Sequence, residues 1–392
     1  MGCSLQLAIL WDNRRSEWYI HSGLPPPQIQ TLFPWNSPMT AIDSSLDTST
    51  LRTSILHLLD HLPQYSHSPL IAQALDTLVR IAEHDMERLD WKILIGSLQD
   101  MDRAFEVFHR YRHTRKIAVF GSARTVTTAP EYQMALDFSK SMAQQGFMVM
   151  TGAGGGIMEA ANQGAGRDQS FGLNVHLPFE QEANPYVGDE KLLQFKYFFT
   201  RKLFFLRETD AVAVFPGGFG TQDEAFECLT LTQTGKFGPA PMIFVDRPGG
   251  DYWQHWSRYI QDQLLGNGLI SPEDTCLYTI TDRLDVACQA IMDFYRVYHS
   301  SRYVHQQFVM RLKTELTDEQ VAELNETFSD LLVRGAIVKT TVLEAERGDE
   351  TETLPRLVFH FNQRDLGRLY QMIARINQMG ATAPESTHPE QK

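Results

Sequence analysis

Three times between Lys116 and Thr221 a short apolar run breaks into a glycine-rich loop. Lys116-Ile117-Ala118-Val119-Phe120 ends in Gly121-Ser122-Ala123-Arg124, and Phe147-Met148-Val149-Met150 ends in Thr151-Gly152-Ala153-Gly154-Gly155-Gly156. Ala211-Val212-Ala213-Val214-Phe215 ends in Pro216-Gly217-Gly218-Phe219-Gly220-Thr221, and a fourth run covers Pro241–Val245. Helical periodicity occupies 131–145, 157–165, 222–234 and 251–265. Short runs that are apolar at every position are strands buried on both faces, and their alternation with helices predicts an α/β fold with a doubly wound parallel sheet.

A chain of 392 residues exceeds one ordinary domain, and the pattern divides it. Residues 1–48, with Pro25, Pro26, Pro27, Pro34 and Pro38, read as an irregular leader. Residues 49–112 read as a helical preface. Its faces are Leu51, Ile55, Leu58 and Leu62, then Ile71, Leu75, Leu78 and Ala82, then Leu94, Leu98, Met101, Phe105 and Phe108. The α/β domain spans 113–300. Residues 301–382 form a small α+β module in the order β-α-β-β-α: alternating Phe308, Met310 and Leu312, a capping box at Thr317–Gln320 opening a helix to about Leu332, strands at Ile337–Leu343 and Leu357–Phe361, and a helix over Asp365–Met379. Packing, dimerisation and effector binding are all open roles for that module. Residues 383–392 read as a disordered tail.

A formal net charge of −13 argues against a nucleic-acid partner, because phosphate is met by a positive field. No apolar run approaches the roughly 20 residues of a membrane helix, and no signal peptide is evident. Met1-Gly2-Cys3-Ser4 hints at myristoylation, but Gln6 stands where Ser or Thr is required, so lipidation is not expected. Cys3, Cys228, Cys276 and Cys288 have neither CxxC spacing nor a paired His cluster. Reduced thiols in a cytoplasmic protein follow, with no metal site.

In an open parallel sheet, ligands bind beyond the carboxyl ends of the strands, where the three glycine loops lie. Glycine lets backbone N–H groups approach an anion, and the following helix N-terminus adds partial positive charge. The ligand expected is therefore a small phosphate-bearing molecule. Neither a complete dinucleotide fingerprint nor a G-x-x-x-x-G-K-[ST] loop is present. After the third loop, Glu224 and Glu227 stand one turn apart. Glu224 is either a partner of the helix dipole or, following an anion loop directly, a carboxylate facing the sugar attached to the phosphate. Arg201 lies in Phe198-Phe199-Thr200-Arg201-Lys202-Leu203-Phe204-Phe205, one helical turn from Phe198 and from Phe205. It is either a solvated surface residue or a guanidinium in apolar surroundings that needs an anion: substrate phosphate, Glu224 or another carboxylate.

Pro216-Gly217-Gly218-Phe219-Gly220-Thr221-Gln222-Asp223-Glu224 resembles the PGGxGTxxE motif of the Lonely Guy (LOG) family, and Arg201-Lys202 resembles that family's upstream Arg-Lys pair. The resemblance covers roughly 116–298 and includes Gly121–Arg124 and Thr151–Ala161. Leu177–Gln181 with Asn184-Pro185-Tyr186 looks like the longer bacterial branch. It departs at Ala153 and Gly155, where relatives often read Gly and Pro. The resemblance implies a Rossmann-like fold and a phosphoribohydrolase acting on nucleoside 5′-monophosphates, AMP-like or cytokinin ribotides, as a homodimer without a cofactor. It makes Arg201 and Glu224 the catalytic pair. The binding residues are then Gly121, Ser122, Gly154, Gly155, Lys202 and Gly217, Gly218, Phe219, Gly220 and Thr221, with Glu180 on the ribose or base. Relatives were often labelled lysine decarboxylases, yet no Schiff-base Lys with a partner for a pyridoxal ring nitrogen is identifiable. The rival reading is a protein of the same superfamily that binds or senses a nucleotide without cleaving it.

Overall fold

The computed structural model describes residues 10–12, 17–19, 53, 57, 67–175 and 183–380. Most of the expected leader and of the Leu51–Leu62 helix, Glu180, and the tail 383–392 lie outside the described residues. The chain forms two compact units, 1–96 and 97–392. In the first, β1 (Leu10–Asp12) pairs antiparallel with β2 (Glu17–Tyr19), with Trp11 opposite Trp18. Helix α1 (Ser68–Ala82) opens with proline in its first turn, where the missing N–H costs nothing. Helix α2 (Arg88–His109) crosses the division between the units.

The second unit is built on a seven-stranded parallel sheet. In chain order its elements are β3 (Lys116–Phe120), α3 (Pro130–Gln144), β4 (Met148–Thr151), α4 (Ile157–Ala165), β5 (Ser170–Val175), β6 (Leu192–Phe195) and α5 (Phe198–Glu208). Then follow β7 (Ala211–Val214), α6 (Phe219–Gln233), β8 (Met242–Val245), α7 (Tyr252–Tyr259), β9 (Tyr278–Thr281) and α8 (Leu284–Phe294). The strand order is β6-β5-β4-β3-β7-β8-β9, the doubly wound Rossmann-like arrangement. The chain works outward from β3 to β6, then returns to lay β7 against the other side of β3. That reversal opens a crevice at the carboxyl ends of β3 and β7.

Alternation along β3 explains why the run is apolar throughout. Ile117 and Val119 join a layer containing Phe138 of α3, Ala160 of α4 and Ile291 of α8. Ala118 and Phe120 join the opposite layer, with Phe108, Phe204, Ala225 and Trp253 from α2, α5, α6 and α7. A fully buried phenylalanine such as Phe138 contributes about 1.5–3 kcal/mol.

Past α8 come β10 (Tyr298–Val304), β11 (Gln307–Leu312), α9 (Asp318–Thr327), β12 (Leu332–Thr340), β13 (Arg356–Phe361) and α10 (Leu366–Gly380). The four strands form an antiparallel sheet in the order β10-β11-β13-β12. Phe308, Met310, Leu369 and Ile373 extend the layer that holds Ile117 and Ile291, so one core continues from the parallel sheet into this module. The Thr317 capping box forms as expected. Its helix stops at Thr327 rather than near Leu332, because Phe328 leaves helical geometry and a tight turn over Ser329–Leu331 leads into β12. Buried Glu346 joins Arg311 and Arg356, each with its Nε 3.0 Å from a carboxylate oxygen.

Candidate functional site

The first and third glycine loops meet where the sheet reverses. The Ser122 N–H donates to the Pro216 carbonyl at 3.1 Å, and the Phe215 N–H donates to the Phe120 carbonyl at 2.8 Å. Glycine is needed at 217 for close approach: an added Cβ would lie 2.1 Å from Thr221 Oγ1 and 3.0 Å from the Ser122 nitrogen. Helix α6 starts at Phe219 rather than 222, so the loop is itself the first turn of the helix. The amides of that turn have no intrahelical acceptor, and the dipole places positive charge there.

Above this junction lies a cleft of about 1010 Å³. Its walls contain Gly121, Ser122, Arg201, Gly217–Thr221 and Glu224, which the structure thus brings together. Phe219 stands 97% exposed at the rim, whereas Thr221 and Glu224 are buried. From the second loop the wall takes Gly152, not Gly154 or Gly155. That loop is pinned from below. Asn184 Nδ2 donates to the Gly154 carbonyl at 3.0 Å, the Asn184 N–H donates to the Ala153 carbonyl at 2.8 Å, and the Ala153 N–H donates to Thr151 Oγ1 at 2.9 Å. Ala153, where the resemblance departs, has φ +59°, a left-handed conformation that disfavours a Cβ. The hydrogen bonds on both sides of it hold the strain.

Arg201 and Glu224 face each other between α5 and α6, with Nη2 2.8 Å from Oε1. Their side chains are 14% and 9% exposed, so this is a nearly desolvated pair and not a surface ion pair. The guanidinium lies 5.4 Å from the Phe198 ring centroid and 5.3 Å from that of Phe205, in the apolar sleeve the helical spacing anticipates. Arg201 Nε is buried without a hydrogen-bond partner, a costly state for a charged donor. Lys202, expected among the binding residues, is not in the cleft lining; its Nζ lies 3.4 Å from Glu224 Oε2, 2.6 Å from Glu227 Oε2 and 3.0 Å from Asp223 Oδ2, which hold it to α6.

Burial raises the Glu224 pKa above the ordinary carboxylate value, even though Arg201 and Lys202 pull it down. Burial likewise lowers the Arg201 pKa against the opposing pull of Glu224. The two shifts share one cause, desolvation that the mutual pairing does not fully offset. Lys202 behaves differently. Burial is again the largest influence and acts downward, but hydrogen bonds and charge from Glu227, Glu224 and Asp223 outweigh it and raise the ammonium pKa. Perturbed, desolvated partners in a cleft mark a candidate site of chemistry.

Two further residues join the site that spacing did not single out. The Tyr252 hydroxyl donates to the Gly217 carbonyl at 2.6 Å, and Gln222 Nε2 donates to the same hydroxyl at 2.7 Å. Tyr252 opens α7, some 30 residues beyond the loop, and no one-dimensional pattern separates it from its buried neighbour Trp253. Among the described residues, no group of three or more His, Cys, Asp and Glu side chains is placed to hold a metal ion, and no helix is long and apolar enough to cross a membrane.

Residues 156–291 match the model of a family described as "Possible lysine decarboxylase", a stretch that contains Arg201, Lys202 and Glu224. No curated protein matches the chain. Among solved structures, a structural-genomics target titled TM1055 is 28% identical over 33% of this chain and 72% of its own, with a TM-score of 0.26. The molybdenum cofactor binding protein of the phototrophic bacterium Rippkaea orientalis is 19% identical over 46% of this chain and 96% of its own, with a TM-score of 0.32. The molybdenum cofactor carrier protein of Chlamydomonas reinhardtii is 18% identical over 46% of this chain and 97% of its own, with a TM-score of 0.33.

Proposed function

We propose that this chain hydrolyses the N-glycosidic bond of nucleoside 5′-monophosphates, AMP-like nucleotides or cytokinin ribotides, to free base and ribose 5-phosphate. The observation that carries the reading is the Arg201–Glu224 pair, 2.8 Å apart and nearly desolvated, in the same cleft as the glycine-rich start of α6. The LOG-like motifs at both residues support it, and both lie inside the family match.

In this reading the phosphate rests on the amides from Gly218 to Thr221, where the helix dipole favours it. The pentose then lies over Glu224. Glycosidic cleavage passes through an oxocarbenium-like state. The Glu224 carboxylate stabilises that positive charge and takes a proton from the attacking water. Its raised pKa makes it a better base than an exposed glutamate. Arg201, whose guanidinium borders the cleft, anchors the phosphate or assists departure of the base. Phosphate contacts supply remote binding energy that is used at the anomeric carbon. Lys202, held protonated by three carboxylates, is poorly suited to form a Schiff base, which weighs against reading the family's descriptive name as the activity.

We further propose that the chain acts as a homodimer. Phe105, Phe198, Phe199 and Leu203 are large apolar side chains exposed on α2 and α5, and a second copy would cover them. The test of function is a panel of 5′-monophosphates and matching nucleosides incubated with pure protein, with free base as the readout. Base released from AMP much faster than from adenosine supports the reading. Tight AMP binding with no release of any base replaces it with the nucleotide-binding alternative.

A further inference from the structure

We infer that Tyr252 is a positioning residue for the anion loop: its hydroxyl turns the Gly217 carbonyl away from the ligand and so aims the Gly218 N–H at the phosphate. The inference rests on the proposed phosphate seat and adds a residue outside the glycine loop to it.

The chemistry of the three atoms leaves one assignment. The Gly217 carbonyl can only accept, so at 2.6 Å the Tyr252 O–H must donate its single proton there. The Gln222 amide, 2.7 Å from the same hydroxyl, must then present its NH₂ group, since its oxygen would face an oxygen with no proton to give. Tyr252 is thereby fixed at both lone-pair and proton positions, and Gln222 ties it to the first turns of α6, two residues before Glu224.

Peptide planarity carries this to the ligand. Across the trans peptide that joins Gly217 to Gly218, C=O and N–H point in opposite directions. With the carbonyl drawn to Tyr252, the Gly218 N–H points away from it. That N–H has no hydrogen-bond partner among the described residues. A Cβ built on Gly218 meets nothing within 4 Å, so the backbone there borders open space. Were the peptide to flip, a carbonyl dipole would face the anion in place of an amide, replacing attraction by repulsion. The hydroxyl opposes that flip.

Calorimetric titration of the full-length protein with inorganic phosphate, ribose 5-phosphate and adenosine tests this without requiring catalysis. In Tyr252→Phe, which keeps the ring packed on Trp253, phosphate and ribose 5-phosphate should bind about 3- to 10-fold more weakly, the range for one hydrogen bond. Adenosine, which has no phosphate, should bind as it does to the parent protein. Gln222→Leu should shift phosphate in the same direction by less, and it carries the test if Tyr252→Phe does not fold. Unchanged phosphate affinity, or an equal loss for adenosine, overturns the positioning role. Failure of the parent protein to bind phosphate at all would instead remove the anion seat itself, a result visible before any variant is made.

Discussion

Glu224→Gln separates a catalytic carboxylate from a structural one, because the structure sets different magnitudes for folding and for turnover. The carboxyl accepts from Arg201 at 2.8 Å and lies 3.4 Å from the Lys202 ammonium. Gln keeps the shape and one acceptor but removes the charge. A hydrogen bond to a charged group contributes about 1.5–3 kcal/mol against about 1 for a neutral pair, so weaker pairing costs roughly 0.5–2 kcal/mol. Desolvation acts the other way. Burial holds the folded-state pKa of Glu224 above its ordinary value. A carboxyl shifted in that direction contributes stability at low pH and loses it as pH rises through the folded pKa, so at neutral pH its ionisation destabilises the fold and Gln relieves that. The opposed effects should leave unfolding free energy at pH 7 within about 1 kcal/mol of the parent. Turnover of AMP should fall at least about a hundredfold, some 2.7 kcal/mol of barrier. Urea denaturation beside a free-base assay at saturating AMP measures both. Near-normal turnover refutes the catalytic role, and so does a fall in activity that merely follows loss of fold. Arg201→Ala should differ: it leaves a buried carboxylate with only Lys202, so activity and stability fall together, the latter toward the lower end of about 3–5 kcal/mol.

Gly217→Ala places a methyl 2.1 Å from Thr221 Oγ1 and against the Ser122 backbone, so the junction of two loops must shift. AMP affinity should drop at least about tenfold, a 1.4 kcal/mol effect, and an unchanged Kd would show that the loop is not the phosphate seat. The pH profile of kcat/KM should lose activity on the acid side as Glu224 is protonated, with the limb above the ordinary glutamate value of 4.5, because burial raises this carboxyl. A rate constant through that region assigns the base elsewhere. Glu346→Ala strands Arg311 and Arg356 in the core of the antiparallel sheet and should cost about 3–5 kcal/mol of stability while kcat of the remaining folded protein is unaltered. A melt like that of the parent would show the triad to be dispensable.

The parallel sheet was legible where its strands are apolar on both faces: the run at Lys116–Phe120 is β3 residue for residue. Strands with weaker patterns escaped notice. β5 carries Gly172 and Asn174 inside it, where Gly172 is required because a Cβ would meet Ala153 at 2.7 Å. β6 has four residues, and β9, at the sheet edge, is only partly buried. β10 reads as polar because Ser300, Ser301 and Arg302 occupy its middle. The site was legible in part. Arg201 and Glu224 drew notice through an apolar sleeve and a loop-to-helix junction, both local features. That they touch each other depends on how α5 packs against α6, which no local pattern encodes. The Tyr252 hydroxyl reaches Gly217 across 35 residues of chain, and such a contact is set by the return of β8 beside β7.

A crystal structure of the Glu224→Gln protein with AMP tests the central claim most directly. The phosphate should sit on the amides from Gly218 to Thr221, with the anomeric carbon about 3–3.5 Å from the residue 224 carboxamide or from a water held by it. AMP bound outside this cleft, or the side chain at 224 turned away from the ribose, would contradict the account.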